Sequence, residues 1–303
     1  MNERMKILIA YDGSTCADDA INDLPRAGLP REAAALIVHI QERWLPPPSG
    51  YETAKEVFVS TNSVAAKPAR NEEEPRAEAE GEHHLKVLER ASQRLGSYFP
   101  EWKTETLLLK GSPAREVIRQ AKEWNANIIV VGSHGCTESK RFALGSVSQK
   151  IVNEAACSVR VVRGQAWKDG SPNRLLIGLD GSHEAMAAVQ EVARRLWTMG
   201  SEVRLVVARD ASESNYKWVR ECLKDAKKLL EHAELAVTEL IEKNDPKLII
   251  VASAEEWGAD CIFLGANGAE DADENQLLGS VSTAVVARAH CTLEIVRQKG
   301  VRI

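Results

Sequence analysis

The chain repeats itself, and the repeat constrains its fold more tightly than any single motif. The run KILIAYDGSTCADDAI from Lys6 returns as RLLIGLDGSHEAMAAV from Arg174, so Asp12 answers to Asp180 and Ser14 to Ser182, both 168 positions later. AKEWNANIIVVGSHG from Ala121 returns as AEEWGADCIFLGANG from Ala254, 133 positions later. GSVSQKIVNEAACSVRVVR from Gly145 returns as GSVSTAVVARAHCTLEIVR from Gly279, at an offset of 134. A duplicated unit accounts for all three. At 303 residues there is room for two ordinary domains. The expected boundaries are 1–165 and 172–303, joined by the polar stretch GQAWKDGSPN from Gly164.

The changing offset locates an insertion. A fall from 168 to 133 gives the first copy about 35 residues that the second lacks. They are assigned to the segment between Pro46 and Glu80, which is rich in Pro, Ala and Glu and poor in aromatics. Such a segment buries little apolar surface against its ordering cost, so a mobile insertion is expected, with a regulatory or partner-binding role as the alternative. The step from 133 to 134 places one extra residue in the second copy's glycine-rich loop.

Each copy alternates strand and helix signals. In the first, KILIAYD, AAALIVHI, KTETLLLK, NIIVVGS and SVRVVR are short aliphatic or β-branched runs. Helical spacing separates them, with start signals such as Ser112-Pro113. The second copy shows RLLIGLD, EVRLVVAR, CIFLGA and TLEIVR in the same order. Its apolar PKLIIVAS reads locally as a strand, but the repeat requires a helix there, and the repeat takes precedence. Strands alternating with helices of this length imply parallel pairing through right-handed crossovers, an α/β fold.

In an open parallel sheet, ligands collect beyond the carboxyl ends of the strands. The stretch VVGSHGCTESKRFALGSVSQKIV occupies that place. Gly132 and Gly135 follow a strand, the basic pair Lys140-Arg141 comes next, and Gly145-Ser146 opens a helix. The two glycines let backbone approach a ligand closely, and the first amides of the helix, at Gly145, Ser146 and Val147, favour an anion such as phosphate. Each glycine taken singly reads equally as a turn residue. The spacing of the set points to a ligand.

The spacing Gly132-x2-Gly135-x9-Gly145-Ser146, with IIVVGSHG before it and VSQKIV after it, resembles the nucleotide motif of the universal stress protein family. ILIAYDGS and ALIVHI resemble that family's first two strands, and the resemblance covers nearly the whole chain twice over. It implies two tandem doubly wound, Rossmann-like domains of the adenine nucleotide alpha hydrolase type. Each would have a five-stranded parallel sheet in the order 3-2-1-4-5. It further implies ATP, with Mg2+, as the ligand of a subset of members. By that analogy Ala10, Tyr11 and Asp12 sit at the ribose or adenine end and Ile40 offers backbone groups to the adenine edge. Gly132, Ser133, His134 and Gly135 wrap the ribose and phosphates, Gly145, Ser146 and Val147 hold the phosphate tail, and Arg141 screens its charge. Asp12 keeps a rival reading, since an Asp before Gly-Ser at a strand end commonly caps a helix.

The second loop reads GANGAEDADENQLLGS, one residue longer, with Glu270, Asp271, Asp273 and Glu274 where the first copy has its basic pair. Carboxylates repel a triphosphate unless a divalent cation intervenes, so the nucleotide site is expected in the N-terminal half. No Ser/His/Asp or metal constellation forms around His134, and no GxxxxGK[ST] loop occurs, which argues against an enzyme. A slow ATPase or an autophosphorylating protein using Ser146 or Ser148 is the alternative, as is a nucleotide-free scaffold. His39 reads as a core or strand-end residue, and Trp124 and Trp257 as packing residues. A formal net charge of −5 gives no general attraction to nucleic acid or to an anionic membrane. The six cysteines are scattered without metal-ligand spacing, so free thiols are expected. No apolar run approaches a membrane span, and the opening MNERMKILIAYDGS lacks a signal-peptide pattern, which together suggest a cytoplasmic protein. The family resemblance also implies that the halves pair within the chain through SVRVVR and TLEIVR, with a homodimer of chains left open.

Overall fold

A computed structural model describes residues 4–42, 73–134, 144–163, 170–208, 213–268 and 278–298. The first half runs β1 (Met5–Ala10), α1 (Thr15–Asp23), β2 (Ala33–Glu42), α2 (Glu73–Tyr98), β3 (Lys103–Gly111), α3 (Pro113–Glu123), β4 (Ile128–Gly132), α4 (Ser146–Glu154) and β5 (Ser158–Val162). The second runs β6 (Arg174–Gly178), α5 (His183–Ala193), β7 (Glu202–Ala208), α6 (Glu213–His232), β8 (Ala236–Glu242), α7 (Pro246–Trp257), β9 (Cys261–Gly265), α8 (Ser280–Arg288) and β10 (Thr292–Val296). The strands form one ten-stranded sheet in the order β3-β2-β1-β4-β5-β10-β9-β6-β7-β8. Each half therefore has the order 3-2-1-4-5, parallel throughout, as the resemblance implied.

The halves join where β5 and β10 run antiparallel, with Val161 opposite Leu293, Arg160 opposite Glu294 and Val159 opposite Ile295. On one face of the joined sheet, α3, α4, α7 and α8 cover a single core that includes Leu8, Val159, Ile249 and Leu293 from both halves. On the other face, α1 and α2 cover one core and α5 and α6 another. The side chains of β5 and β10 alternate accordingly: Val159, Val161, Leu293 and Ile295 point into the shared core. Arg160 and Glu294 point into the space between the two separate cores.

The junction is tied twice, once by each copy. Arg163 donates from Nη2 to the carbonyl of Val286 at 2.6 Å and from Nη1 to that of Ala289, closing the end of α8. Its repeat counterpart Arg297 donates to the carbonyl of Val152 at 2.7 Å, closing the end of α4. A cation at a helix carboxyl end satisfies orphan carbonyls and opposes the helix dipole, so each half finishes a helix of the other.

The awkward run after Asn244 is a helix. Asp245 caps α7 by accepting from the Lys247 amide at 2.9 Å, Pro246 takes the first helical position, and Gly258 ends it with φ +66. Those termini outweigh the strand propensity of LIIV. The remaining strand of the second half is AVTELIE (β8), which carries too few buried side chains to stand out in sequence. It lies at the sheet edge, where charges such as Glu239 and Glu242 guard against further pairing. Of the segment 46–80 expected as an insertion, 46–72 lies outside the described residues, and α2 begins at Glu73, inside that segment. In α2, Gly96 is exposed, and a methyl group added there would meet nothing within 4 Å. Gly96→Ala is expected to stabilise the fold by about 0.5–1 kcal/mol, read from the midpoint of chemical unfolding.

Candidate functional site

Sheet order directs the carboxyl ends of β1, β2 and β4 to one edge of the first half. Ala10 ends β1 there, Ile40 lies near the end of β2, and Gly132 ends β4. The amide of Gly145 donates to the Ser133 carbonyl at 2.8 Å, and buried Ser148 donates from Oγ to the Gly132 carbonyl at 2.7 Å. These two bonds hold the start of α4 against the end of β4, so Ser133, His134, Gly145, Ser146 and Val147 come together. Gly135, Lys140 and Arg141 lie outside the described residues.

Gly132 gives room to packing. A Cβ there would stand 2.5 Å from the Cys16 carbonyl oxygen in α1, so the missing side chain makes room for a helix. Gly265 repeats this against the Glu184 carbonyl carbon at 2.6 Å. Asp12 is exposed and accepts from the Ser14 amide at 2.9 Å, while Ser14 itself caps α1 through the Ala17 amide. The Asp therefore folds the turn that presents the cap, and the cap itself is Ser14, two residues on, rather than Asp12 as its rival reading had it. Asp180 and Ser182 repeat the arrangement.

Tyr11 is buried, and its amide donates to the Val38 carbonyl. Its hydroxyl contacts Asp18 and accepts from Arg90 at 2.9 Å. Burial and the Asp18 carboxylate push this phenol above its usual range. The Tyr11 carbonyl accepts from His39 Nδ1 at 2.7 Å, and His39 Nε2 lies 2.8 Å from His84 Nδ1. His39 is thus a buried strand-end residue, as read from sequence. The Arg90 and His84 contacts come from α2, and no periodicity signalled them. Trp124 and Trp257 pack at the shared core under cations, with Lys6 Nζ 5.7 Å and the Arg204 guanidinium 4.4 Å from the respective ring centres.

Two features at this edge bear on what it could hold. The first is His134. Its Nδ1 lies 3.2 Å from Ser133 Oγ, while its buried Nε2 has no hydrogen-bond partner among the described residues. Burial, then the neighbouring Arg163 guanidinium, hold His134 below the usual histidine range. The second is α4, which, like α3, begins without a side-chain cap hydrogen bond, whereas α1, α5 and α7 have one. The amides of its first turn remain available to an anion.

The second half repeats the scaffold. Gly279 donates to the Ala266 carbonyl at 2.8 Å, Ser282 to that of Gly265 at 2.7 Å, and α8 also starts uncapped. Asn267 stands where the first copy has His134, and its buried Oδ1 is likewise without a partner among the described residues. The four carboxylates of this loop lie outside the described residues.

Other candidates are set aside by geometry. Ser148 is too buried and too well bonded to accept a phosphoryl group, unlike exposed Ser146. None of the described cysteines forms a disulfide, and burial pushes the Cys291 thiol up to about 12. Among the described residues no three His, Cys, Asp or Glu side chains converge as a metal site, and no helix is long and apolar enough to cross a membrane.

Comparison with known proteins places these observations in a family. The model described as the universal stress protein family matches residues 3–163 and again 172–297. The universal stress protein YxiE of Bacillus subtilis is 31% identical over 161 residues, 52% of this chain and 98% of that one. A universal stress protein of Thermus aquaticus is 30% identical over 160 residues, 52% of this chain and 97% of its own. Among solved structures, a universal stress protein from Archaeoglobus fulgidus superposes with a TM-score of 0.68 at 19% identity, covering 96% of this chain and 98% of that one. That similarity extends over both halves and shows a shared fold.

Proposed function

The chain belongs to the universal stress protein family as two tandem copies of its domain, and from that premise we propose that it is a non-catalytic module that binds ATP in its N-terminal half. The observation that carries this reading is the pairing of a helix start at Gly145 that has no side-chain cap with the buried Nε2 of His134 beside it, which has no hydrogen-bond partner among the described residues. An anion suits the first, and a hydroxyl or phosphate oxygen suits the second.

In this reading Ala10, Tyr11 and Asp12 flank the ribose and adenine, and Ile40 offers backbone groups to the base edge. Ser133 and His134 contact ribose and phosphates together with Gly135. Ser146 and Val147 offer their amides to the phosphate tail, with Arg141 screening charge, while the Gly145 amide, expected to join them, is bonded to the Ser133 carbonyl and fixes the helix start instead. Gly132 supports the site by letting α1 pack close. Bound ATP supplies negative charge and a base to be gripped. A Mg2+ ion would arrive on its phosphates, since such ions keep most of their waters and take few protein ligands. Occupancy would set the conformation of the loop between Gly132 and Gly145 and thus the surface shown to a partner.

Calorimetric titration of ATP with Mg2+ tests the assignment. His134→Ala is expected to weaken binding about tenfold, the loss of one good hydrogen bond, while Asn267→Ala leaves it unchanged. Wild-type affinity in His134→Ala would remove the observation on which the reading rests. Equal losses in the two variants would move the site to both halves. Turnover to ADP, or phosphate on Ser146, would replace the switch by chemistry.

A further inference from the structure

The pseudo-two-fold axis relating the halves passes through the facing pair Arg160 and Glu294. The repeat offset at these strands is 134, so the two residues are also the same position of the duplicated unit. Around them the junction is built twice alike. Arg163 and Arg297 each close a helix of the other half. Ser158 Oγ accepts from the Arg297 amide at 3.1 Å and Thr292 Oγ1 from the Arg163 amide at 3.4 Å. At the axis, however, the repeat changes sign.

We propose that this reversal makes the strand edge selective: β5 accepts an edge bearing the opposite charge at the axis, as β10 does, and rejects a second β5. The partner it fits is therefore the other half of its own chain, rather than the same half of another copy. Arg160 and Glu294 are 2% and 0% exposed, and Arg160 Nη1 lies 3.2 Å from Glu294 Oε2. If two N-terminal halves paired in this register, Arg160 would meet Arg160, and that Nη1 would lose its acceptor to a second cation. If two C-terminal halves paired, two carboxylates would meet where no water reaches. Like charges directly opposite across strands are unfavourable, and burial intensifies the penalty.

The surroundings are adjusted to the reversal. Asp23 and Glu191 are the same repeat position, and both are acidic. Asp23 accepts from Arg160 Nε at 2.7 Å, which neutralises the first half's cation. The second half has an anion at the axis and supplies its own cation, Arg195, where the first copy has Ala27. Arg195 donates to Glu294 Oε2 at 2.9 Å, to Glu191 Oε1 at 3.0 Å and across the junction to the Ala27 carbonyl at 3.0 Å. The result is an alternating row Asp23, Arg160, Glu294, Arg195, Glu191 that exists only when unlike halves meet. Discrimination of this kind works by what it excludes.

The test is the full chain carrying Arg160→Gln together with Glu294→Gln. A pair of glutamines donates and accepts alike in every combination of halves, so like and unlike pairing become equivalent at the axis. Wild type and variant are unfolded in guanidinium chloride, refolded side by side at high concentration and separated by size with light scattering. Exchange of unlike halves between chains is open to both alike, so wild type sets the baseline. The variant is expected to give about tenfold more dimer than wild type, the excess coming from like halves pairing between chains. A folded variant with the wild-type distribution would overturn the proposal. Failure of the variant to show a cooperative thermal transition would overturn it as well, because the pair would then secure stability rather than the choice of partner.

Discussion

Removing the carboxylate at the axis, Glu294→Ala, is expected to cost about 3–5 kcal/mol of unfolding free energy, among the largest effects available to one substitution here. Glu294 is fully buried and accepts from Arg160 at 3.2 Å and from Arg195 at 2.9 Å. Its loss leaves two guanidiniums, themselves 2% and 3% exposed, facing a space too dry to solvate them. The residual bonds to Asp23 and Glu191 soften the penalty without removing it. Denaturant unfolding reads the change. A shift below about 1 kcal/mol would mean that water reaches the cluster.

The second large effect belongs to Gly132. Gly132→Ala is expected to destabilise the chain by about 3 kcal/mol, at the upper end of overpacking costs. The new methyl would stand 2.5 Å from the Cys16 carbonyl oxygen and 2.7 Å from its carbonyl carbon, which are backbone atoms that cannot rotate away. Either α1 lifts from the sheet or β4 bends, and both movements loosen the core around Ala17, Ala20 and Val130. Gly265→Ala is expected to behave alike in the second half, where the Glu184 carbonyl carbon is 2.6 Å away. Unchanged stability in both variants would show that helix and strand are not packed this closely.

The repeat makes most of the architecture legible from sequence. It forces PKLIIVAS into a helix against its own propensity, and α7 with its Asp245 cap and Gly258 stop is that helix. The family resemblance, rather than the repeat, implies the order 3-2-1-4-5 in both halves and the pairing of the last strands, and both are present. β8 escapes notice because an exposed edge strand carries little apolar alternation. Gly132 reads as a site of ligand approach because spacing cannot distinguish room for a ligand from room for a helix. The partners of Tyr11 and His39 are invisible in sequence because Arg90 and His84 reach them from α2, far along the chain. The Arg160–Glu294 reversal is in plain view in SVRVVR and TLEIVR, yet its meaning depends on knowing that the two positions face each other. The spacing groups Ser133, His134 and Gly145, which the structure brings side by side. That His134 Nε2 has no partner among the described residues, and that α4 starts without a side-chain cap, emerges only in three dimensions.

Mass analysis of nucleotide carried by the purified full chain, followed by calorimetric titration with ATP and Mg2+, tests the central claim most directly. The account predicts intact ATP at about one per chain, retained on purification or bound on titration with the same stoichiometry. A chain that retains no nucleotide and takes up no ATP on titration would contradict it.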